Sequence, residues 1–490
     1  MTAARPIRRL LVANRGEIAV RVIRGCRAAG VSPVAVYSEA DRSARHVRLA
    51  DEAVLLGPSP AAQSYLDARK VLTAARESGC DAVHPGYGFF SENAAFARAV
   101  EEAGLVWVGP PPSAIEAMGL KVPSRERMKR AGVPVVPGTQ ELDDGDAARR
   151  IGLPLVVKAS AGGGGKGMRV VRDAAELPDA IASCRREAEA AFGDGTLYAE
   201  KYLERPRHVE VQVFGDRHGH VVALGERECS LQRRHQKVIE ECPSPAVTPA
   251  LRRRLCEAAV AAARAVDYAS AGTVEFLLAH DGSFHFLEMN TRLQVEHPVT
   301  EEALGLDLVV LQLRTAAGEP LPSDLPEAPS AHAIEARVYA EDAENGFLPQ
   351  TGRLLVWEEP SGPGIRVDSG VTAGDEVSVH YDPMLAKVIA RGATRDEARR
   401  RLVAALGETV ALGVTTNLSY LRRVLESAPV AAGELDTSLL ERLEVPPVPP
   451  PSEAVFEAAG RAFSVWGAGA DTRPASIPDP FDAGEFRVLR

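Results

Sequence analysis

The chain has 490 residues, which is enough for two to four domains with separate hydrophobic cores. Its 45% hydrophobic composition excludes a disordered chain, and its net charge of −10 at pH 7 argues against general nucleic-acid binding. The apolar run at residues 10–13 is too short for a signal peptide, no stretch approaches the length of a membrane span, and the six cysteines form no CxxC pair. We therefore expect a cytoplasmic protein with reduced thiols, without nucleic-acid or membrane partners.

The N-terminal segment predicts a βαβ unit and hence a parallel sheet, with strands at residues 10–13 and 33–37 and a helix at residues 18–29. The unit lacks a GxGxxG motif, so it does not indicate a dinucleotide site. An Asn-Arg-Gly-Glu run at residues 14–17 lies where such a sheet presents its strand ends to ligands. The His-Pro-Gly-Tyr-Gly-Phe loop at residues 84–89 follows another predicted strand, and its glycines either shape a turn or allow contact with a ligand.

A dense glycine cluster at residues 160–168 follows a predicted strand at residues 155–158. Glycines let backbone N–H groups approach an anion, and Lys158 and Lys166 add positive charge, so the cluster suits phosphate binding. It is not a P-loop of the GxxxxGK[ST] type, because Gly167 follows Lys166. The alternative is a flexible surface hairpin, and a mobile glycine flap over a nucleotide would satisfy both interpretations.

Two polar segments come next along the chain. Residues 208–213 alternate polar and apolar side chains, which predicts a half-solvated strand. Residues 226–237 are crowded with cations and hydrogen-bond donors, which by themselves indicate a solvated loop. Beside an anion site, the same segment becomes a candidate for binding phosphate or bicarbonate.

A predicted β-hairpin combines strands at residues 273–278 and 286–296, with Asp281 and Gly282 as a two-residue turn signal. With that turn the register places Glu275 opposite Glu288, where carboxylates about 5 Å apart repel by roughly 3 kcal/mol at an effective dielectric of about 20. Either a Mg²⁺ or Mn²⁺ ion resolves this conflict, or both glutamates are solvated and one of them pairs with Arg292. The alternation places five polar side chains on one strand face: Glu288, Asn290, Arg292, Gln294 and Glu296.

The C-terminal part of the chain begins with a proline-rich linker, predicted at residues 320–330. Strands are predicted at residues 334–339 and 381–388, and a helix at residues 394–405. A polyproline-like spacer at residues 445–451 precedes a tail that is too short to form a core.

Several of these motifs occur together, and in the same order, in one family: from about residue 7 to about residue 443 the chain resembles the biotin carboxylase component of acyl-CoA carboxylases, an ATP-grasp enzyme. The glycine cluster is one of the motifs that carry the resemblance. The others are residues 13–19, 84–89, 232–237 and 288–298. Several long motifs in the right order are more specific than any single loop.

The resemblance implies an α/β (α+β) fold built from three domains. The first is a Rossmann-like parallel-sheet domain at residues 1–119. The second is an ATP-grasp domain at residues 120–319, with a mobile glycine-rich lid at about 137–204. A C-terminal mixed α/β domain at residues 320–445 and a Pro-rich linker and tail at residues 446–490 complete the chain.

The family's functional residues carry over onto matching positions of this sequence. The implied ATP contacts are Lys121, Lys158, Gly164, Gly165, Glu200, Lys201, Leu203, His208, Gln232, His235, Glu275 and Glu288. The implied ligands of two Mg²⁺ or Mn²⁺ ions are Glu275, Glu288 and Asn290. The implied bicarbonate and biotin contacts are Lys237, Arg292, Gln294, Val295, Arg337, Tyr87 and Asp382. The implied catalytic residues are Arg292, Glu296, Lys237 and Arg337, with Glu296 as the base that deprotonates bicarbonate and Arg337 as the partner of enolate-like biotin.

The function that the resemblance implies is ATP- and bicarbonate-dependent carboxylation of biotin on a carrier protein through carboxyphosphate, the first half-reaction of an acyl-CoA carboxylase. One alternative is another ATP-grasp carboxylate ligase, against which the Arg292 to Glu296 set and Arg337 argue. Another is a nucleotide-binding scaffold that has lost catalysis, against which the intact charged residues of the site argue.

The resemblance also implies partners. The chain has no Ala-Met-Lys-Met biotin-attachment motif, so the carrier is expected on another chain or in a missing part of this one. A carboxyltransferase, which selects the acyl-CoA, is the second expected partner, and the family tends to form homodimers. Ala161 and Lys166 are mild departures from the family's usual glycine and arginine, and Leu120, in place of a polar residue, has no explanation.

Overall fold

The structure is a computed structural model that describes residues 5–139, 142, 150–160, 167–234, 236–326, 328–447, 452–454 and 457. Three predicted ATP contacts, Gly164, Gly165 and His235, lie outside the described residues, as do most of the glycine cluster and most of the tail. Among the helices of the described part, none combines the length and the hydrophobicity needed to cross a membrane. All six cysteines are free thiols.

The N-terminal region is a parallel sheet flanked by helices, as the βαβ pattern predicts. Its strands are β1 (Arg9–Val12), β2 (Ser32–Ser38), β3 (Glu52–Gly57), β4 (Ala82–His84) and β5 (Val106–Trp107). They pair in the order β3-β2-β1-β4-β5. The helices are α1 (Gly16–Ala28), α2 (Arg45–Leu49), α3 (Ala68–Glu77), α4 (Ala94–Glu102) and α5 (Pro112–Gly119). Most residues of α1 are buried, because it packs against the sheet on one side and against strands of the C-terminal region on the other.

The central region begins with α6 (Lys121–Arg130) and a small antiparallel sheet of three strands in the order β7-β6-β8. The strands are β6 (Leu155–Ala159), β7 (Met168–Val171) and β8 (Leu197–Lys201), and helix α7 (Leu177–Phe192) packs on them. This unit has a hydrophobic cluster of its own, which includes Leu142, Val157 and Cys184. Short 3-10 helices lie at Glu39–Asp41, Ala61–Gln63, Ala174–Glu176 and Ala343–Asn345.

The rest of the central region contributes long antiparallel strands and three helices. The strands are β9 (Arg207–Gly215), β10 (Val221–Arg233), β11 (Gln236–Cys242), β12 (Ser270–Leu278) and β13 (Phe284–Asn290). The helices are α8 (Pro249–Arg264), α9 (His297–Leu304) and α10 (Leu308–Ala316).

The C-terminal region continues the same sheet across the predicted boundary at residue 320. Its strands are β14 (His332–Tyr339), β15 (Glu341–Asp342), β16 (Leu348–Pro349), β17 (Gly352–Arg353), β18 (Val356–Glu358), β19 (Ile365–Ser369), β20 (Glu376–Val377), β21 (Met384–Gly392) and β22 (Val410–Leu412). Its helices are α11 (Arg395–Glu408), α12 (Leu418–Glu426), α13 (Ala428–Ala432) and α14 (Leu439–Arg442). Eight strands form one antiparallel sheet in the order β13-β12-β9-β10-β11-β14-β21-β19.

The two faces of this large sheet differ in polarity. On β14, Ile334 and Val338 enter a hydrophobic cluster with residues of α11 and α12, whereas Glu335 and Arg337 alternate with them and are also buried. The second face therefore holds buried ionisable groups, which must pair with one another.

Two predictions for the polar segments were wrong for this reason. Strand β9 is not half-solvated: Glu210 and Gln212 are fully buried. The segment at residues 226–237 is not a solvated loop, since its described residues belong mainly to β10 and β11. Arg227, fully buried on β10, donates hydrogen bonds to Glu210 (2.5 Å) and Gln212 (2.7 Å), so each segment supplies the polar partners that solvent would otherwise supply.

Candidate active site

The hairpin of β12 and β13 has the predicted pairing of glutamates but not the predicted turn. The N–H of Ala279 donates to the carbonyl of Ser283 (2.8 Å), so the loop contains three residues rather than two. This displaces the register by one residue, and a β-bulge between Glu275 and Phe276 displaces it back. Glu275 consequently lies opposite Glu288, as predicted.

The strand that follows the turn is shorter than predicted. Strand β13 ends at Asn290, and residues 291–296 form a loop before α9. The chain leaves the sheet where it meets the N-terminal region: the backbone N–H of Thr291 and the side-chain Nε of Arg292 donate to the carboxylate of Glu92, at 3.1 and 2.9 Å. The polar side chains beyond Asn290 therefore reach the site from a loop and not from a strand face.

A cavity of about 920 Å³ lies between the N-terminal sheet, the small sheet and the large sheet. Every predicted site residue within the described part of the chain lines it. They are Tyr87, Lys121, Lys158, Glu200, Lys201, Leu203, His208, Gln232, Lys237, Glu275, Glu288, Asn290, Arg292, Gln294, Val295, Glu296, Arg337 and Asp382. The structure thus gathers residues from three regions around one space large enough for a nucleotide.

Lys237 is the central cation of the cavity. Its ammonium Nζ donates to the carboxylates of Glu210 (2.5 Å), Glu275 (2.8 Å) and Glu296 (2.5 Å). Burial alone would lower the pKa of Lys237, but these three carboxylates raise it well above its usual value. Sequence reasoning missed Glu210, because the alternation of β9 suggested a solvated side chain.

The facing glutamates have opposite environments. Glu275 accepts hydrogen bonds from Lys237 and from the amide of Asn290 (2.8 Å), and its Oε2 lies 2.9 Å from Nε2 of His208. Burial would raise the pKa of Glu275, but Lys237 and His208 hold it well below its usual value. The carboxylate of Glu288 has no hydrogen bond or ion pair with any described residue, and burial, followed by the charge of Glu275, raises its pKa.

A half-buried carboxylate without a partner among the described residues, next to an ionised one, fits a divalent cation. Glu275, Glu288 and the amide oxygen of Asn290 supply the oxygen ligands that Mg²⁺ or Mn²⁺ prefers. Asn290 Oδ1 also accepts a hydrogen bond from Arg292 (3.1 Å), which fixes its orientation. The predicted alternative, a glutamate paired with Arg292, is wrong, because Arg292 binds Glu92 instead.

Two other groups of side chains bring possible metal-ligating atoms within 4.8 Å of one another: His208 with Glu210 and Glu275, and Glu210 with Cys229 and Glu296. In both groups the carboxylates already bind the ammonium of Lys237. Lys237 therefore already neutralises the carboxylates of these two groups. Glu288, in contrast, is a carboxylate that still requires a positive charge beside it.

Glu296 lies between two cations. It is fully buried at the N-cap of α9, where its Oε1 accepts a hydrogen bond from Lys237 and its Oε2 accepts one from Nη2 of Arg337 (2.9 Å). Burial would raise its pKa, but Lys237 and Arg337 hold it well below the usual value. Arg337 Nε also donates to Glu240 (2.6 Å), whose pKa burial raises to about 7.

The predicted nucleotide end of the cavity carries three lysines. The ammonium of Lys158 binds Glu200 (2.6 Å), and that of Lys201 donates to the carbonyl of Leu153 (2.7 Å). Lys121 begins α6 and lines the cavity, and its ammonium has no hydrogen bond with a described residue. This end is more basic and the Glu275 end more acidic, as an ATP–metal complex requires.

Tyr87 and Asp382 also line the cavity. Asn14, at the end of β1, donates to the carbonyls of Pro85 and Tyr87, both at 2.7 Å. A Cβ added to Gly86 would lie 3.0 Å from the Asn14 side chain, so this glycine allows the close approach. The hydroxyl of Tyr87 is buried without a partner among the described residues, which leaves a polar group available to a ligand.

Comparison with known proteins assigns all three regions of the chain. A family model described as "Biotin carboxylase, N-terminal domain" matches residues 6–115. One described as "Carbamoyl-phosphate synthase L chain, ATP binding domain" matches residues 121–324, and one described as "Biotin carboxylase C-terminal domain" matches residues 335–442.

Individual relatives agree with the family models. The mitochondrial methylcrotonoyl-CoA carboxylase subunit alpha of Dictyostelium discoideum is 48% identical over 466 residues, which are 93% of this chain and 67% of that protein. The biotin carboxylase of Halalkalibacterium halodurans is 50% identical over 439 residues, 88% of this chain and 97% of that protein. This chain spans 60 to 62% of several other methylcrotonoyl-CoA carboxylase alpha subunits.

A solved structure extends the likeness to the fold. The biotin carboxylase domain dimer of Hydrogenobacter thermophilus 2-oxoglutarate carboxylase, determined with MgADP, ADP and bicarbonate, has a TM-score of 0.85 and 44% identity, covering 89% of this chain and 98% of that one. The predicted fold class is thereby confirmed. Since the family models match most of the chain and relatives about half identical to it cover nearly all of its described length, the chain belongs to the biotin carboxylase family of ATP-grasp ligases.

Proposed function

We propose that this chain carboxylates biotin held on a carrier, using ATP and bicarbonate, as the first half-reaction of an acyl-CoA carboxylase. The observation that carries the proposal is the buried arrangement of Glu296 between Lys237 and Arg337, in the same cavity as a metal-type carboxylate pair. A kinase would need the carboxylate pair to hold a metal ion. It would not need a second site at which a small anion lies beside a base.

The first chemical step joins bicarbonate to the γ-phosphoryl group of ATP. Lys237, Arg292, Gln294 and the Val295 backbone hold bicarbonate, and Glu296 accepts its proton as a bicarbonate oxygen attacks phosphorus and ADP leaves. A divalent ion held by Glu275, Glu288 and Asn290 would offset charge on the phosphate oxygens. Lys158 and Lys121 add positive charge at the nucleotide end.

The second step transfers carbon dioxide to biotin. Carboxyphosphate yields CO₂ and phosphate, the phosphate takes the ureido proton of biotin, and the nitrogen that loses this proton forms a bond to the carbon of CO₂. Arg337 then faces the ureido oxygen of biotin, which becomes negative when the proton leaves. A guanidinium suits that task because it does not give up its own proton. Tyr87 and Asp382 line the part of the cavity that we assign to biotin.

A direct test measures ADP release by the purified chain. We expect release to require bicarbonate and to rise when free biotin is added, because bicarbonate is the first phosphoryl acceptor and biotin consumes the product. Omission of each substrate in turn, with ADP followed by a coupled assay, checks this. ADP release that is indifferent to both substrates would refute the proposed function.

The metal assignment has its own test, the replacement Glu275→Gln. We expect the Mg²⁺ concentration for half-maximal activity to rise at least tenfold, since a neutral amide is a weaker ligand and leaves Glu288 alone at the site. Glu77→Gln, an exposed carboxylate on α3, is the matched control and should leave the metal dependence unchanged. An unaltered metal requirement in Glu275→Gln would contradict the assignment.

The wider assembly is also part of the proposal. The carrier is a separate chain or a further segment, a carboxyltransferase chooses the acyl-CoA, and the chain forms a homodimer in the cytoplasm. We also propose domain boundaries after residues 119, 319 and 445, and a lid at about residues 137–204. Affinity capture of biotinylated partners, together with sedimentation of the purified chain, tests the partners and the dimer.

A further inference from the structure

A fully buried lysine lies behind the loop that carries Glu296. Lys387 stands on β21, and its ammonium Nζ donates to the carbonyl oxygen of Val295 at 2.8 Å and lies 3.3 Å from Oε2 of Glu17 on α1. Val295 and Glu17 line the cavity, whereas Lys387 does not. Any influence of Lys387 on a substrate must therefore pass through the groups that it holds.

The charges around Lys387 come from three elements, α1, β14 and β19. Asp368 on β19 lies 4.0 Å from Nζ but is itself bound by Arg366 (2.8 Å), and Glu335 on β14 also raises the pKa of the lysine. Arg337 is the residue of β14 that pairs with Lys387 across the strands. Glu17 has no ion-pair partner other than Lys387 among the described residues, and neither of its oxygens accepts a hydrogen bond there.

This pairing makes Glu17 and Lys387 dependent on each other. Burial raises the pKa of Glu17 to about 7, against the lowering effect of Lys387. Burial alone would lower the pKa of Lys387, but Glu17, Glu335 and Asp368 raise it. Loss of either partner leaves an uncompensated charge inside the protein, which is a cost to stability separate from any effect on the site.

The backbone of the loop is held at two successive carbonyls. His297, which is fully buried, places Nδ1 2.8 Å from the carbonyl oxygen of Gln294, and Lys387 binds the next carbonyl, that of Val295. A trans peptide directs its N–H away from its own C=O. The N–H groups of Val295 and Glu296 therefore point away from these two anchors, and neither donates to another described residue.

We infer that Lys387 is a positioning residue: braced by Glu17, its ammonium fixes the Val295 carbonyl and so directs the free N–H groups of residues 295 and 296, and the Glu296 side chain, toward bicarbonate. The inference rests on the proposed function, which places bicarbonate at this loop. It also gives the Asn-Arg-Gly-Glu run a task without substrate contact. Asn14 holds the Tyr87 loop, and Glu17 holds the lysine behind the bicarbonate loop.

The test distinguishes the effect of the hydrogen bond from Lys387 to the Val295 carbonyl from the effect of an unbalanced buried charge on Lys387 or Glu17. Lys387→Met removes the donor with little change in shape and leaves Glu17 unpaired, whereas Lys387→Met with Glu17→Gln removes both charges. For Lys387→Met we expect a lower melting temperature and a KM for bicarbonate raised at least tenfold, with the KM for ATP within twofold of wild type. The double variant should regain most of the melting temperature but keep the raised KM for bicarbonate.

Two further variants complete the design. Glu17→Gln alone retains the bond from the ammonium to Val295, so its KM for bicarbonate should stay within about threefold of wild type. The double variant Arg395→Met with Glu241→Gln removes an ion pair between a half-buried arginine and a buried glutamate that do not line the cavity, and should change neither KM. If Lys387→Met alone does not fold, the Lys387→Met/Glu17→Gln variant still measures the bicarbonate KM without an unpaired charge.

Three results have distinct meanings. A normal KM for bicarbonate in the Lys387→Met/Glu17→Gln variant would overturn the inference, since Lys387 would then serve only to neutralise Glu17. A tenfold rise in Glu17→Gln equal to that of Lys387→Met would also overturn it, because the charge pair and not the carbonyl contact would matter. Wild-type ADP release that does not depend on bicarbonate would instead refute the proposed function.

Discussion

Replacement of Glu296 by glutamine is expected to reduce bicarbonate-dependent ATP hydrolysis by about 10²- to 10⁴-fold, the usual contribution of a general base. Glutamine has nearly the same shape but accepts no proton at neutral pH. Lys237 keeps Glu210 and Glu275 as partners, and Arg337 keeps Glu240, so the change leaves no cation without a carboxylate. The affinity for ATP should stay within about twofold of wild type, because the nucleotide contacts are elsewhere in the cavity.

The environment of Glu296 indicates that this carboxylate needs a change in its surroundings to act as the proposed base. In the structure Lys237 and Arg337 hold its pKa well below the usual value, and such a carboxylate is a weak proton acceptor. For the proposed reaction we expect bicarbonate and phosphate to draw Lys237 away from Glu296, and biotin to draw Arg337 away. Glu296 would then lose positive charge and its pKa would rise, so that the substrates would activate the base that acts on them.

Rate and affinity must be measured separately for this variant. Nucleotide titration gives the affinity, and ADP release at saturating ATP, with and without bicarbonate, gives the rate. Glu241→Gln is a matched control, because Glu241 is a buried glutamate on β11 that is bound to Arg395 and His332 and does not line the cavity. Turnover near the wild-type value in Glu296→Gln would reject the role of Glu296 as the base.

The local part of the site could be predicted from the sequence. The βαβ unit follows from apolar periodicity, and the facing of Glu275 and Glu288 follows from a hairpin within twenty residues of chain. That second success depended on two deviations that cancel: a three-residue turn and a bulge in which Leu287 is the extra residue of β13. The alternation of polar and apolar side chains also continues past the end of β13. It does so because the polar side chains of residues 292–296 line the cavity and do not belong to a sheet face.

The rest of the site depends on contacts that no local pattern encodes. Glu210 is 17 residues from Arg227 and 27 from Lys237, and only the pairing of β9, β10 and β11 brings these charges together. Val295 and Lys387 are 92 residues apart and belong to different predicted domains. The polar alternation of β9 therefore predicts a solvated face, whereas in the structure the polar side chains of β9 are buried and pair with those of β10 and β11.

Replacement of Arg337 by methionine is expected to lower carboxylation of biotin by about 10²- to 10³-fold, the loss typical when one fixed donor to a developing oxyanion is removed. Bicarbonate-dependent ATP hydrolysis without biotin should fall by less than about tenfold, since Lys237 continues to bind Glu296. Arg337→Lys keeps the charge but cannot reach Glu240 and Glu296 with one planar fork, so it should recover only part of the rate.

The two activities of Arg337→Met distinguish a role toward biotin from a general loss of structure. Arg395→Met is the control, because it gives up a two-point ion pair with Glu241 outside the cavity and should lower stability without changing the ratio of the two activities. A parallel fall of ATP hydrolysis and biotin carboxylation in Arg337→Met would contradict the assignment to biotin. It would place Arg337 with Lys237 as a second cation for bicarbonate, which its bond to Glu296 makes the nearest alternative. Preserved hydrolysis with lost carboxylation would leave Lys237 and Arg337 with separate tasks on either side of one carboxylate.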